Sequence, residues 1–185
     1  MKVTINANGK TVQAEISEGQ LKELGLVEQL KKLGLLEDKP RTGYEGREEC
    51  NNKKHYFVNT IDLVIEDENT DLFDQNRYDV GNYYSDKTIA ENNARADRLL
   101  RQLRQWQAQN DEPISISDWK NEGIIKYFIA YNYRSSLFEI GRCSRRREPN
   151  IIYFTTKDKV SKAVKNFRDE LEWYFTEYQQ RLDEE

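Results

Sequence analysis

Tyr56–Ile65, YFVNTIDLVI, and Tyr127–Tyr133, YFIAYNY, decide the fold, because each opens a similar series of segments. The first is succeeded by an acidic stretch, by RYDVGNYY at Arg77–Tyr84 and by SDKTIAENNARADRLLRQLRQWQAQ from Ser85. The second is succeeded by SSLFEIGRC, a basic loop, NIIYF and TTKDKVSKAVKNFRDELEWYFTEYQQRL from Thr155. Tyr56-Phe57 precedes Tyr83-Tyr84 by 27 residues, and Tyr127-Phe128 precedes Tyr153-Phe154 by 26. Self-similarity of this kind marks an internal repeat. Each copy reads as two or three strands followed by a helix, with RYDVGNYY taken as strand. A hydroxyl at the N-cap and a carboxylate in the first turn suit the helix dipole at Ser85-Asp86 and at Thr156-Lys157-Asp158.

The helices carry apolar stripes that need a sheet beneath them. Ile89, Ala96, Leu99, Leu100, Leu103 and Trp106 share one side of the first. Val160, Val164, Phe167, Leu171, Tyr174 and Tyr178 step by four and three along the second, a heptad seam within one long helix. Its end, Trp173 to Leu182, is expected to overhang the sheet, where it could pair with a second copy as a homodimer. Between the copies, Asn110–Asp118 reads as a loop or extended connector. The expected architecture is α+β: two ββα repeats share one antiparallel sheet with helices on one face.

Upstream, Val3 and Ile5 alternate against Val12, Ala14 and Ile16 across Asn8-Gly9, a hairpin signal. Ser17 with Gln20 opens a helix ended by Gly25, and Leu26, Leu30 and Leu33 suggest another stopped by Gly34. The expected divisions are a hairpin and two-helix unit at 1–36, a linker at 37–54, and a repeat domain at 55–185 with copies at 55–110 and 119–185.

The 185 residues are 34% charged and 37% hydrophobic, so the core must draw on the 11 Tyr, 7 Phe and 3 Trp. The first twenty residues lack the apolar run of a signal peptide, and no segment is apolar enough to span a bilayer. Cys50 and Cys143 stand outside any CxxC spacing. Free thiols in a cytoplasmic location are therefore expected. Residues 1–80 and 148–185 are net acidic, whereas 81–147 are net basic.

His55 is the only histidine, which excludes triads and multi-histidine metal sites and leaves an exposed strand-edge residue as the expectation. Asp67, Asn69 and Asp71 match the first three ligand positions of a calcium loop, but Leu72 stands where its glycine belongs and Tyr78 where its bidentate glutamate belongs. Glu66, Asp67, Glu68, Asp71 and Asp74 are instead a candidate acidic interface. A cation-dependent nuclease would need Asp62, Asp67, Asp71, Asp79 or Glu139 to converge. Neither phosphate-binding glycine fingerprint occurs, and no cofactor or metal is expected.

Arg95, Arg98, Arg101 and Arg104 recur every three residues, and Arg142, Arg145, Arg146 and Arg147 cluster before the last strand. With Tyr131 and Tyr133 they are candidates for binding a protein partner or nucleic acid.

The opening MKVTINANGKTVQAEISEGQLKELGL, the linker's TGYE and RYDVGNYYSDKTIAENNA at Arg77–Ala94 resemble small accessory proteins of phages and prophages of low-GC Gram-positive bacteria. The last segment is similar to that group's junction of strand and helix. Ala90-Glu91 is present, while Lys87-Thr88-Ile89 replaces the usual acidic turn. IIYFTTKDKVSKAV is similar to its repeat. The resemblance implies a non-enzymatic inhibitor, of the anti-CRISPR type, that occupies a protein interface on a host nuclease or ribonucleoprotein complex. The alternative is a nucleic-acid-binding module using the arginines.

Overall fold

The structure is a computed structural model that describes residues 2–7, 10–15, 17, 19, 25, 41–46, 54–68 and 72–184. It is α+β and divides into two units, residues 1–40 and 41–185. In the first unit, β1 (Lys2–Ala7) pairs antiparallel with β2 (Lys10–Glu15) in the register Val3↔Ala14, Ile5↔Val12 and Ala7↔Lys10, which leaves two residues for the connection. The turn residues themselves and both helices expected before Gly34 lie outside the described residues. Gly25 has φ 65°, a left-handed value that suits a residue following a helix.

In the second unit, β3 (His55–Val58) pairs antiparallel with β4 (Val64–Asp67). Asn59 closes their turn by accepting the backbone N–H groups of Ile61 and Leu63. RYDVGNYY is not a strand. Leu72–Asp79 form helix α1, held by an Asp74–Arg77 pair one turn apart. Gly81, at φ 73°, ends the helix: its N–H donates to the Tyr78 carbonyl, and the Asn82 N–H donates to that of Arg77. Those two bonds are a Schellman motif, which needs a glycine there. Asn82 then lends its side chain to the strand, donating to the Val58 carbonyl and accepting the Val58 N–H, both at 2.8 Å. Tyr84 alone forms a bridge to Tyr56 before α2 (Lys87–Asn110) begins. The cap of α2 is the Asp86 carboxylate, accepting from Thr88 and Ile89 N–H, rather than the hydroxyl of Ser85.

After the short α3 (Ile116–Lys120), β5 (Lys126–Asn132), β6 (Leu137–Cys143) and β7 (Tyr153–Phe154) form a sheet in the order β6-β5-β7. Tyr127 pairs with Phe154 much as Tyr56 bridges to Tyr84. In each case a capped helix starts three residues later; Thr156 caps α4 (Lys157–Asn166) through the Lys159 N–H. Gly141 faces Phe128 across β5 and β6, and the ring covers its missing side chain.

The two sets of strands do not share a sheet. Among the described residues, β3 and β4 form one sheet and β5, β6 and β7 another. Helix lengths explain why. Four-residue strands span about 13 Å, whereas 24 helical residues span about 36 Å. The stripe of α2 therefore runs past its own sheet, and Leu99 and Leu103 pack with Phe154, Val160, Ala163 and Leu171 of the second set. Helix packing thus joins the two sets. At the other end, Ile89 and Ala90 pack with Tyr84, Tyr56, Val58 and Val64.

The seam expected along one long helix is divided. Phe167, at φ −117° and ψ 24°, separates α4 from α5 (Arg168–Thr176), and the chain is no longer helical from Glu177. Trp173 is buried, and the Tyr178 hydroxyl donates to Asn93 at 2.8 Å. Burial pushes the Tyr178 phenol up, so it remains a donor. Leu182 packs against the cluster of Tyr84, Ile89 and Ala90 and donates its N–H to the Thr42 carbonyl. The segment expected to overhang is folded onto its own chain.

Residues 41–46, read from sequence as linker, are a strap on the start of α2. Gly43 is buried, and its carbonyl accepts the Ser85 N–H at 2.9 Å. Burial pushes the Glu45 carboxyl up, but the Ser85 hydroxyl and the Thr42 N–H and hydroxyl outweigh it and hold the group down at about 2. Above its unfolded value near 4.5, this carboxylate contributes its full stabilisation, of order 2 kcal/mol. The contribution is lost as the pH falls from about 4.5 towards 2. Urea titrations across that range are expected to show an acid-labile increment that Glu45→Gln removes; equal pH dependence in both proteins refutes this.

Candidate functional site

Three of the four helical arginines are engaged within the chain. Arg95 makes a forked pair with Glu170 at 2.8 and 3.2 Å, and its guanidinium lies 4.0 Å from the centroid of Trp173. Arg98 and Arg101 converge on Asp62 in the β3–β4 turn. Against the upward push of burial, Arg101 and then Arg98 hold the Asp62 carboxyl below its ordinary range. Arg145 pairs with Glu122, while Arg142 and Arg146 are exposed. Tyr131 stacks on Phe175 with centroids 5.4 Å apart and supports the sheet, whereas Tyr133 is exposed beside it.

Arg104 and Arg147, one from each basic set, do come together. They line a groove of about 340 Å³ with Gln107, Trp119, Ile151 and Ile152. A larger groove of about 690 Å³ runs between the edge of β4 and α2, lined by Leu63, Val64, Ile65, Leu99 and the Arg95–Glu170 pair. Leu63 is 56% exposed and Ile61 beside it 72%.

The acidic candidates do not form one interface. Glu66 and Glu68 flank Lys54, and Lys54 holds the Glu66 carboxyl down. Asp71 lies outside the described residues. Asp74 is buried on α1, 3.0 Å from His55 Nε2, and it shares Arg77 Nη1 with Asp67 at 2.8 and 3.1 Å. Asp79 accepts from Gln75 and Glu139 from Asn132, so these carboxylates and Asp62 have separate partners. The Cys143 thiol is free, is pushed up by burial and donates to the Arg146 carbonyl; Cys50 is outside the described residues.

His55 is not an exposed edge residue. It is 2% exposed, and its ring stacks on Tyr83 with centroids 4.5 Å apart and planes at 12°. Its Nε2 has no aligned hydrogen bond despite the nearby Asp74 oxygen. Donor atoms of His55, Asp67 and Asp74 lie within 4.8 Å of one another. At the matching position of the second set stands Lys126, which is equally buried. Its ammonium donates to the carbonyls of Asp118, Ile124 and Ser144 and lies 4.9 Å from the centroid of Trp119. Composition concealed both: each basic residue opens a strand, before the aromatic pair that marks the repeat, and that shared place was the available signal.

Among the described residues no helix is long and apolar enough to cross a membrane. Comparisons with protein-family models, curated proteins and solved structures found no match to this chain.

Proposed function

We propose that this chain is a non-enzymatic inhibitor that docks on a host defence complex, such as a CRISPR effector nuclease, through the groove beside β4. One observation carries the reading: Leu63 and Ile65 stand exposed along that groove, with Ile61 exposed in the adjoining turn, while Arg95 is paired with Glu170 and Arg98 and Arg101 share Asp62. Among the described residues the outer edge of β4 has no partner strand; such an edge, flanked by exposed apolar side chains, accepts an extended segment of another protein by strand addition, and arginines already engaged by carboxylates offer less to a polyanion. The phage-like segment Arg77–Ala94 supports placing the partner among host defence complexes. Expressing the chain in a host with an active CRISPR effector is expected to restore transformation by a targeted plasmid. Leu63→Lys combined with Ile61→Lys should abolish that effect without altering the melting temperature. Failure of the parent chain to protect the plasmid or bind the purified effector overturns the proposal.

The convergence of Arg104, Arg147 and Trp119 favours a second reading, contact with a single-stranded nucleic acid. It requires binding that weakens steeply with salt and is lost in Arg104→Ala/Arg147→Ala. Undetectable binding at low salt removes it.

A further inference from the structure

The His55, Asp67 and Asp74 cluster combines three features that an inhibitor's docking surface does not require. Its donors come from three elements, β3, β4 and α1, and its imidazole is oriented by the stacked Tyr83 ring. Nε2 of His55 is buried and lacks an aligned hydrogen bond, a costly state for a polar nitrogen. Asp74 Oδ1 lies 3.0 Å from it, off the axis a hydrogen bond requires. That separation is close to what two neighbouring ligands of one ion need: donors about 2.1 Å from a metal are about 3.0 Å apart at right angles and about 3.4 Å apart at zinc's tetrahedral angle.

We propose that His55, Asp67 and Asp74 form a divalent-metal site of zinc type, for which the Arg77 guanidinium competes. One imidazole and two carboxylates are a borderline-hard donor set that zinc accepts, with manganese a weaker alternative. Arg77 occupies the cation position, bonded to both carboxylates. It also lies 3.6 Å from the centroid of Phe57, so it retains a partner when the carboxylates turn to a metal. Asp67 and Arg77 are 21% and 25% exposed, which gives an ion a way in from solvent.

The sole histidine makes the test direct, because its ring nitrogens give unambiguous ¹⁵N signals. The chelator-treated full chain, with Cys50 and Cys143 changed to serine so that thiols do not take the metal, is titrated with zinc. Saturation at one equivalent is expected, with a shift of the His55 Nε2 resonance and a rise in melting temperature. Asp67→Asn, at a partly exposed position, should lower the affinity by about tenfold or more, and Arg77→Ala should raise it severalfold. Unmoved His55 resonances with both zinc and manganese overturn the proposal. So does zinc affinity unchanged in Asp67→Asn.

Discussion

Replacing Lys126 with methionine is expected to lower the free energy of unfolding by about 3 kcal/mol, a cost set by the carbonyls it abandons. An ammonium has three donors and no acceptor. All three are used here, on Asp118 in α3, Ile124 in the following turn and Ser144 after β6. Methionine fills much the same volume, so the loss isolates the polar contacts from a cavity effect. Arginine would keep the charge, but its rigid planar fork cannot aim at three carbonyls around one point, so Lys126→Arg should also destabilise. Because Lys126 ties α3 to the end of β6, the methionine variant should expose Trp119, which hydrogen exchange and tryptophan fluorescence would report. A loss below about 1 kcal/mol would show that water satisfies those carbonyls and that Lys126 is no structural tie.

The elements readable from sequence were those with strong periodicity or local punctuation. The repeated aromatic pairs located β3 and β5, the Asn8-Gly9 pair lay between paired strands, and the stripe Ile89, Ala96, Leu99, Leu103 faces the core. Errors arose where a local signal had two meanings. RYDVGNYY reads as strand, yet the Gly81 inside it ends a helix by a Schellman motif. The heptad seam survived as a set of inward-facing residues but not as one helix, because no proline or glycine announces the break at Phe167. A shared sheet was the economical inference from two similar copies. The excess length of α2 over its own short strands decided for helix packing instead.

The candidate site was less legible, for an electrostatic reason. An arginine is equally visible in sequence whether it faces solvent or a carboxylate from a distant part of the chain. Asp62, at φ 62° in a turn, engages two of the four helical arginines, and no spacing rule connects it to them. Only Arg104 and Arg147 retain the convergence that both basic sets suggested. His55 was misplaced because its burial depends on α1, a helix the strand reading omitted.

Gly43→Ala should be at least as damaging as the loss of Lys126, at about 3–4 kcal/mol, although it adds only one methyl group. Two costs combine. Gly43 has φ 89°, a backbone conformation that a residue with a Cβ adopts at about 1–2 kcal/mol. Its added Cβ would also lie 2.7 Å from Ile89 Cγ1 and 3.0 Å from Ile89 Cβ. A clash with a Cβ cannot be relieved by rotating χ1, because Cβ moves only with the backbone. Ile89 is fully buried in the first turn of α2, against Tyr84 and Ala90, so the helix cannot readily withdraw. The strap must lift instead, losing the bond from Ser85 N–H to the Gly43 carbonyl, the bond from Leu182 N–H to Thr42 and the contacts of Glu45. This predicts a coupling measurable by two routes. In a double-mutant cycle, Ile89→Ala, which removes Cγ1 and Cγ2 but keeps Cβ, should offset the larger part of the steric cost of Gly43→Ala and leave the Cβ contact and the backbone part. Once the strap is detached, the acid-labile increment between about pH 4.5 and 2 should disappear as it does in Glu45→Gln. If Gly43→Ala unfolds at nearly the parent's urea concentration, or retains the full acid-labile increment, the strap is not fixed to the helix in this way.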